Sequence, residues 1–154
     1  GPRLAALADS VSSSEYSLPK VMRGQEGFSF SGLKTAIALL VRKEAGKLEE
    51  PGVKESLSHA IQNAIVETLI HKLKEAVVST GIRSIALSGG VAANMCLRRE
   101  ITKIKGTKAY LSDPKHSTDN AAMIAYVAYH RYNKGDRLNF SDGVMARWPV
   151  EELS

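Results

Sequence analysis

Disulfides, membrane-spanning runs and a signal peptide are all missing from this sequence of 154 residues. Its single cysteine, Cys96, cannot form a disulfide within the chain, which favours a reducing compartment. No apolar stretch approaches the roughly 20 residues that a membrane-spanning helix requires. No positively charged and apolar signal pattern opens the chain. We therefore expect a cytoplasmic protein without membrane association.

Familiar signatures of metal and nucleotide sites are missing too. The sequence has neither a Gly-x-Gly-x-x-Gly turn nor a P-loop. Its histidines form no His-Glu-x-x-His motif or similar metal-ligand spacing; they are His59, His71, His116 and His130. Any metal or nucleotide site in this chain must therefore use other residues or other patterns.

What is present is the composition of an ordinary globular domain with an excess of positive charge. Apolar residues make up 44% of the chain, charged residues 24%, and the net charge is +5. A basic balance suits a polyanion such as RNA, although a solvated basic face is the simpler explanation of charge alone. The positive residues concentrate in two groups: Arg98, Arg99, Lys103, Lys105 and Lys108, and Lys20, Arg23, Lys34, Arg42 and Lys43.

The first half of the chain has mainly helical patterns. Residues 1–9 predict a short helix, 10–27 a loop and 28–31 a short strand. A helix capped by Ser31 then runs to Gly46. After a Pro-Gly break, a long helix ends at Gly81. Its apolar stripe is Leu57, Ala60, Ile61, Ala64, Ile65, Leu69, Leu73, Ala76 and Val77.

The second half alternates strands and helices. Residues 82–87 and 107–111 predict strands, and residues 91–104 and the segment ending near 133 predict helices. This order implies parallel strands joined by a right-handed crossover. We expect the tail to be irregular and to be held against the body by Trp148. The fold class is α/β, helix-rich with a small parallel sheet.

The turn after the first of these strands is the main candidate for a binding site. In IALSGGVAANMCLRR, residues 85–99, Gly89 and Gly90 allow the backbone to approach a ligand closely. Asn94 lies within the first turn or so of the next helix, where its amide can donate and accept toward a base or ribose. The plainer interpretation is a tight turn followed by a surface Asn.

Two further motifs each have two interpretations. Asp119 is either a helix-start residue after a Ser117 or Thr118 cap, or a metal ligand whose partners come from elsewhere. Ser31 and Lys34 form a Ser-x-x-Lys pair, and Thr118-Asp119-Asn120 resembles the second motif of penicillin-binding acylases. The third motif of those enzymes is missing, so a cap is favoured for Ser31.

Four segments together resemble one family. GPRLAALA, FSFSGLKTAI, LSGGVAANMCLRREI and STDNAAMIAY occur in the order and spacing of the tRNA N6-adenosine threonylcarbamoyltransferases, and ARWP resembles their tail. FSFSGLKT favours the bacterial or organellar branch. The resemblance implies two actin-like domains of the sugar kinase–Hsp70 type, with threonylcarbamoyl-adenylate bound between them.

The resemblance also implies an activity and a site. The threonylcarbamoyl group would pass to N6 of adenosine 37 in tRNAs that read ANN codons. By position, Gly1 matches a glycine that packs against the adenosine, and Gly89, Gly90 and Asn94 match the second nucleotide-binding turn. Asp119 matches a ligand of the active-site metal, Fe²⁺ or Zn²⁺.

The departures from the family define the expected extent of the chain. The His-x-x-x-His pair of the metal site and the Ser-Gly-Gly-His turn that opens the second domain are missing, and a usually acidic position is Ala5. We therefore expect residues 1–154 to be the C-terminal portion of the second actin-like domain, inactive by itself. The alternative is a non-catalytic actin-like module that binds a nucleotide or a partner.

The resemblance implies partners and a compartment as well. Besides tRNA, the expected partners are an inactive paralogue and a small ATPase, as in bacteria. The compartment is the cytoplasm, or a mitochondrion or plastid if the source is eukaryotic.

Overall fold

A computed structural model describes residues 1–19, 29–137, 139 and 143. It divides into two units, Gly1–Thr118 and Asp119–Ser154, which are described separately. The predictions for Phe28, for Trp148, and for the basic residues Lys20 and Arg23 lie outside the described residues. Among the described helices, none is long and apolar enough to cross a membrane.

The first unit is organised around one long helix. Helix α1 spans Pro2–Asp9, α2 spans Ser31–Lys43 and α3 spans Val53–Thr80. Helix α3 ends at Gly81, whose φ of 70° is the left-handed cap that the sequence predicts. Its buried residues extend beyond the predicted stripe to Val66 and Ile70, because α3 packs against both α1 and α4. Ala64, Ile65 and Leu69 are only half-buried.

The predicted strand at 28–31 is wrong where the structure describes it. Ser29 and Phe30 have no regular structure, and Ser31 is the first residue of α2 rather than its cap. Phe30 occupies the cap position without a side-chain hydrogen bond. The Ser31 backbone N–H instead donates to Ser29 Oγ at 3.4 Å. Helix α2 ends at Lys43, three residues before the predicted Gly46, and Ala45–Lys47 forms a 3₁₀ turn.

The parallel pairing of the two predicted strands is confirmed. Strand β1 spans Ser84–Leu87 and β2 spans Lys108–Leu111, with Ser84 paired to Lys108 and Leu87 to Leu111. Both strands are shorter than predicted. Helix α4, Met95–Thr102, connects them and covers one face of the sheet. The core on that face consists of Val66, Ile70, Ile85, Leu97, Ile101 and Ile104.

The second unit contains helix α5, Ala121–Asn133, at the predicted place. The described residues are therefore helix-rich with a small two-stranded parallel sheet. The assignment of residues 1–154 to one part of a second actin-like domain stays a prediction.

Candidate functional site

The turn after β1 is built differently from the single helix predicted over residues 91–104. Gly90–Ala93 forms a 3₁₀ helix, and Asn94 then adopts extended backbone before α4 begins at Met95. Gly89 has φ 86° and ψ 174°, a conformation that is essentially restricted to glycine. The backbone conformation at Gly89 therefore gives a structural reason for glycine there, in addition to the predicted role in ligand binding.

A cavity of about 490 Å³ lies between this turn, α1 and α3, within the first unit. Of the four residues predicted to bind nucleotide, Gly1, Gly90 and Asn94 line it, and Gly89 directly precedes the lining. Although Gly1 is distant in sequence from Gly90 and Asn94, the three residues converge on one space. The other lining residues are mainly apolar: Pro2, Leu4, Ala5, Gln62, Ile65, Val66, Leu69, Val91, Ala93 and Leu97.

Apolar walls with few polar groups are typical of small-molecule sites. Among the described residues that line this cavity, none has an ionisable side chain. A flat, uncharged group such as a purine suits these walls better than a phosphate does. A phosphate would have to meet backbone N–H groups or solvent instead.

Asn94 is a helix cap, not a residue of the first turn. Its Oδ1 accepts a hydrogen bond from the Leu97 backbone N–H at 2.9 Å, and its Nδ2 donates to Gln62 Oε1 at 2.8 Å. Each end of the amide is thus already engaged once. One N–H of Nδ2 and one lone pair of Oδ1 remain for a ligand.

Gln62 is a site residue that the sequence reasoning missed. It is only 4% exposed, and its Nε2 donates to Asp9 Oδ1 at 3.0 Å. The available signal was a polar residue next to the apolar stripe of α3. Because its partners Asp9 and Asn94 lie 53 and 32 residues away, no local pattern identifies them.

Asp119 lies in the second unit and is exposed. Asn120, rather than the predicted Ser117 or Thr118, caps α5: its Oδ1 accepts from the Met123 N–H at 3.1 Å. Asp119 therefore precedes the cap and is not a first-turn residue. The buried Ser117 is hydrogen-bonded instead to Ser112 Oγ and to the Asp113 carbonyl.

The described residues do not supply a complete metal site. Among them, no group of three or more His, Cys, Asp or Glu side chains is arranged to hold a metal ion. Asp119 offers one carboxylate, whereas transition-metal sites generally use three or four protein ligands. The role of Asp119 as a metal ligand stays a prediction.

The alternative nucleophile motif has no support in the geometry. Ser31 Oγ accepts a hydrogen bond from Ser29 Oγ at 3.3 Å, and both Ser31 and Lys34 are exposed. An activated serine needs a base within hydrogen-bond reach. Among the described contacts of Ser31, none joins it to Lys34.

Some of the basic residues after the turn form hydrogen bonds or ion pairs within the protein, and others form no ion pair with a described carboxylate. Arg98 Nη1 donates to the Ala92 carbonyl at 3.0 Å, and Lys103 pairs with Glu100. Arg99 lies 3.8 Å from Asp9 Oδ1. Lys105 and Lys108 are exposed and form no ion pair with any described carboxylate. Lys108 Nζ lies 5.0 Å from the centroid of the Tyr110 ring.

Comparison with protein-family models matches most of this chain to one family. The family model of tRNA N6-adenosine threonylcarbamoyltransferase (TsaD) matches residues 1–126, which include α1 to α4, both strands and the first part of α5. The match confirms the resemblance seen in the four sequence segments. An actin-like fold is implied by the family, and the helix-rich first unit with its parallel strands is consistent with it. The chain belongs to the tRNA N6-adenosine threonylcarbamoyltransferase family, whose members are tRNA-modifying transferases.

Proposed function

We propose that this chain acts in the transfer of the threonylcarbamoyl group from threonylcarbamoyl-adenylate to N6 of adenosine 37, in tRNAs that read ANN codons. In this proposal the cavity of the first unit receives the adenosine part of the adenylate. The observation that carries it is the convergence of Gly1, Gly90 and Asn94 on one mainly apolar cavity. The family match to residues 1–126 supports the reaction class.

The geometry suits binding and orientation. The aliphatic side chains of Ile65, Leu69 and Leu97 provide a surface for the purine ring, and burying that ring contributes favourably because it removes apolar area from water. Gly90 has no side chain, and apart from its own chain neighbourhood no described residue lies within 4 Å of the Cβ position it lacks. Asn94 offers its remaining N–H and lone pair to the ring or ribose.

The chemistry asks for positioning more than for a nucleophilic side chain. The exocyclic amine of adenosine is a weak nucleophile because its lone pair is delocalised into the ring. Holding the adenylate and the tRNA base in contact geometry lowers the barrier by removing the entropy cost of their encounter. The residues of the cavity contribute to this by fixing one of the two reactants.

Asp119 is proposed as one ligand of an Fe²⁺ or Zn²⁺ ion, with the other ligands outside the described residues. The His, Cys, Asp and Glu side chains of the described residues do not form a metal site by themselves. Transfer is also proposed to involve tRNA, an inactive paralogue and a small ATPase as partners in the cytoplasm, or in an organelle of a eukaryote.

The proposed cavity role is tested by calorimetric titration with AMP, the stable part of the adenylate. Gly90→Val adds an isopropyl group to the lining and should abolish AMP binding. Gly46→Val is the matched control, because Gly46 also lies in a 3₁₀ turn with nothing within 4 Å of its missing Cβ, and it is outside the cavity lining. AMP binding that is absent in the unmodified chain, or equal in both variants, would refute the proposal.

A second measurement distinguishes the proposed transfer reaction from the alternative, a non-catalytic module that binds a nucleotide. The chain is assembled with the other proteins of the reaction, and the tRNA nucleosides are analysed by mass spectrometry. Modified adenosine that depends on Asn94 supports transfer. AMP binding without any modified adenosine favours a nucleotide-binding module.

A further inference from the structure

We propose that Asp9, acting through the buried Gln62, fixes the orientation of the Asn94 amide, so that both are positioning residues for the ligand of the cavity. This inference rests on the proposed function in one respect, that the ligand is an adenine nucleotide. Neither Asp9 nor its contact with Gln62 follows from any sequence motif.

Three side chains from three elements form a continuous chain of hydrogen bonds. Asp9 is the last residue of α1, Gln62 lies in the middle of α3, and Asn94 caps α4. Gln62 Nε2 donates to Asp9 Oδ1 at 3.0 Å, and Asn94 Nδ2 donates to Gln62 Oε1 at 2.8 Å. Of the three residues, Gln62 and Asn94 line the cavity and Asp9 does not.

The direction of each hydrogen bond is set by its neighbour. An ionised carboxylate only accepts, so the Gln62 atom facing Asp9 must be Nε2. Oε1 of Gln62 then faces Asn94, which must present Nδ2 to it. At the other end, the Leu97 N–H requires an acceptor and receives Asn94 Oδ1 at 2.9 Å. Rotating either amide by 180° would oppose two acceptors or two donors.

This polarity determines what the ligand meets. With both amides fixed, Asn94 has one N–H on the Nδ2 side and one lone pair on the Oδ1 side, and they cannot exchange places. The ligand must therefore present a hydrogen-bond acceptor to Asn94 Nδ2 and a donor to Asn94 Oδ1. Because Gln62 is 4% exposed, water does not readily compensate for a reversed amide.

Other charged and titratable groups surround Asp9. Arg99 Nη2 from α4 lies 3.8 Å from Asp9 Oδ1, and His59 Nδ1 from α3 lies 3.0 Å from the carbonyl of the preceding Ala8. Burial raises the pKa of the Cys96 thiol, and Asp9 contributes to that rise. The unmodified chain at each pH is therefore the reference for every variant.

The test replaces the donor of Gln62 by an acceptor and then supplies a donor at position 9 instead. In Gln62→Glu the new carboxylate faces Asp9, so Asp9 and Glu repel and the contact with Asn94 is disturbed. We expect the Kd for AMP to rise about tenfold or more at pH 8. Because two facing carboxylates repel, the pair takes up a proton more readily than a free carboxyl does, and lowering the pH to 5.5 should recover part of the loss.

The double variant Asp9→Asn with Gln62→Glu should recover binding at both pH values. Its Asn donates to the Glu carboxylate, and the second carboxylate oxygen accepts from Asn94 Nδ2 as in the unmodified chain. Asn63→Asp introduces the same charge at the neighbouring position, outside the cavity lining, and should leave the Kd unchanged. A double variant as weak as Gln62→Glu, or a Gln62→Glu variant as tight as the unmodified chain at pH 8, would overturn the inference.

Two further measurements keep the outcomes distinct. If Gln62→Glu does not fold, the double variant is compared with Asp9→Asn plus Gln62→Leu. The leucine occupies similar space but cannot accept a hydrogen bond from Asn94. Equal Kd values for these two double variants would refute the inference.

If the unmodified chain does not bind AMP, the proposed function fails, and the NMR signal of the Asn94 side-chain amide reports the amide orientation directly. That signal should shift in Gln62→Glu and return in the double variant, and an unshifted signal would refute the inference.

Discussion

Asn94 joins α4 to α3 through a single amide group. Its Oδ1 satisfies a backbone N–H of α4 and its Nδ2 satisfies the buried oxygen of Gln62. An unsatisfied donor at a helix start and an unsatisfied buried acceptor both destabilise a fold. The side chain predicted from sequence as a ligand contact is therefore also a structural one, and its two roles must be separated experimentally.

Replacing Asn94 by Ala or by Ser separates the cap from the buried contact. Serine still caps α4 but does not reach Gln62 as Asn does, whereas alanine provides neither interaction. We expect Asn94→Ala to lower the free energy of unfolding by about 1 kcal/mol more than Asn94→Ser does. Urea denaturation measures this difference. Both variants should weaken AMP binding; equal stability of the two would show that the cap contributes nothing.

The sequence identified residues of the cavity lining but not the hydrogen-bond partners behind them. Gly90 and Asn94 were chosen from the turn after β1 as well as from the family resemblance, Gly1 from the resemblance alone, and all three line the cavity. Asp9 and Gln62 were not found, because a hydrogen bond between residues 53 positions apart depends on how α1 packs on α3. Such packing is a tertiary property that periodicity does not contain.

At the scale of elements, strong periodicity was a reliable guide, and the predicted glycine cap is right for α3 but wrong for α2, which ends at Lys43. Helix α3, its end at Gly81 and the parallel pairing of β1 with β2 follow the prediction. The single helix predicted over residues 91–104 fails, because the extended backbone at Asn94 interrupts it. A cap residue and a helical residue cannot be told apart by apolar spacing alone.

Replacement by alanine should destabilise the fold at Gly89 but hardly at the adjacent Gly90. Gly89 has a φ of 86°, so Gly89→Ala should cost about 1–3 kcal/mol of folding free energy through backbone strain. Gly90 lacks a positive φ and has open space at its Cβ position, so Gly90→Ala should change stability little. Thermal or urea unfolding distinguishes them. A loss of stability in both variants, or in neither, would contradict this account of the turn.

At the scale of the whole molecule, the exposed Lys105 and Lys108 lie at the opposite end of the two strands from the glycine turn. The strands are parallel, so Lys108 at the start of β2 and the glycines after β1 are separated by the length of a strand, about 10 Å. Charges at that distance do not touch a ligand in the cavity. If they act in the proposed function, they contact the tRNA backbone.

Neutralising Lys105 and Lys108 should reduce the salt dependence of tRNA binding. Each phosphate contact contributes somewhat less than one unit to the slope of log K against log salt, so the double Gln variant should flatten it by about two units at most. Lys47 and Lys54, which pair with Glu44 and Glu49, are the matched control with the same charge change. Filter binding at several salt concentrations measures the slopes. Equal slopes for both double variants would assign Lys105 and Lys108 to a solvated surface.

The metal requirement gives a prediction for the purified chain as a whole. Asp119 is one exposed carboxylate, and the described residues offer no cluster that would complete a site around a metal ion. A transition metal held by one carboxylate exchanges readily with water and buffer, because stable sites use three or four ligands. We therefore expect elemental analysis after dialysis to find iron and zinc well below one equivalent, both in the unmodified chain and in Asp119→Ala. Asp113→Ala, which removes another exposed carboxylate, is the control. Stoichiometric metal that disappears only in Asp119→Ala would show that this chain contains the full ligand set.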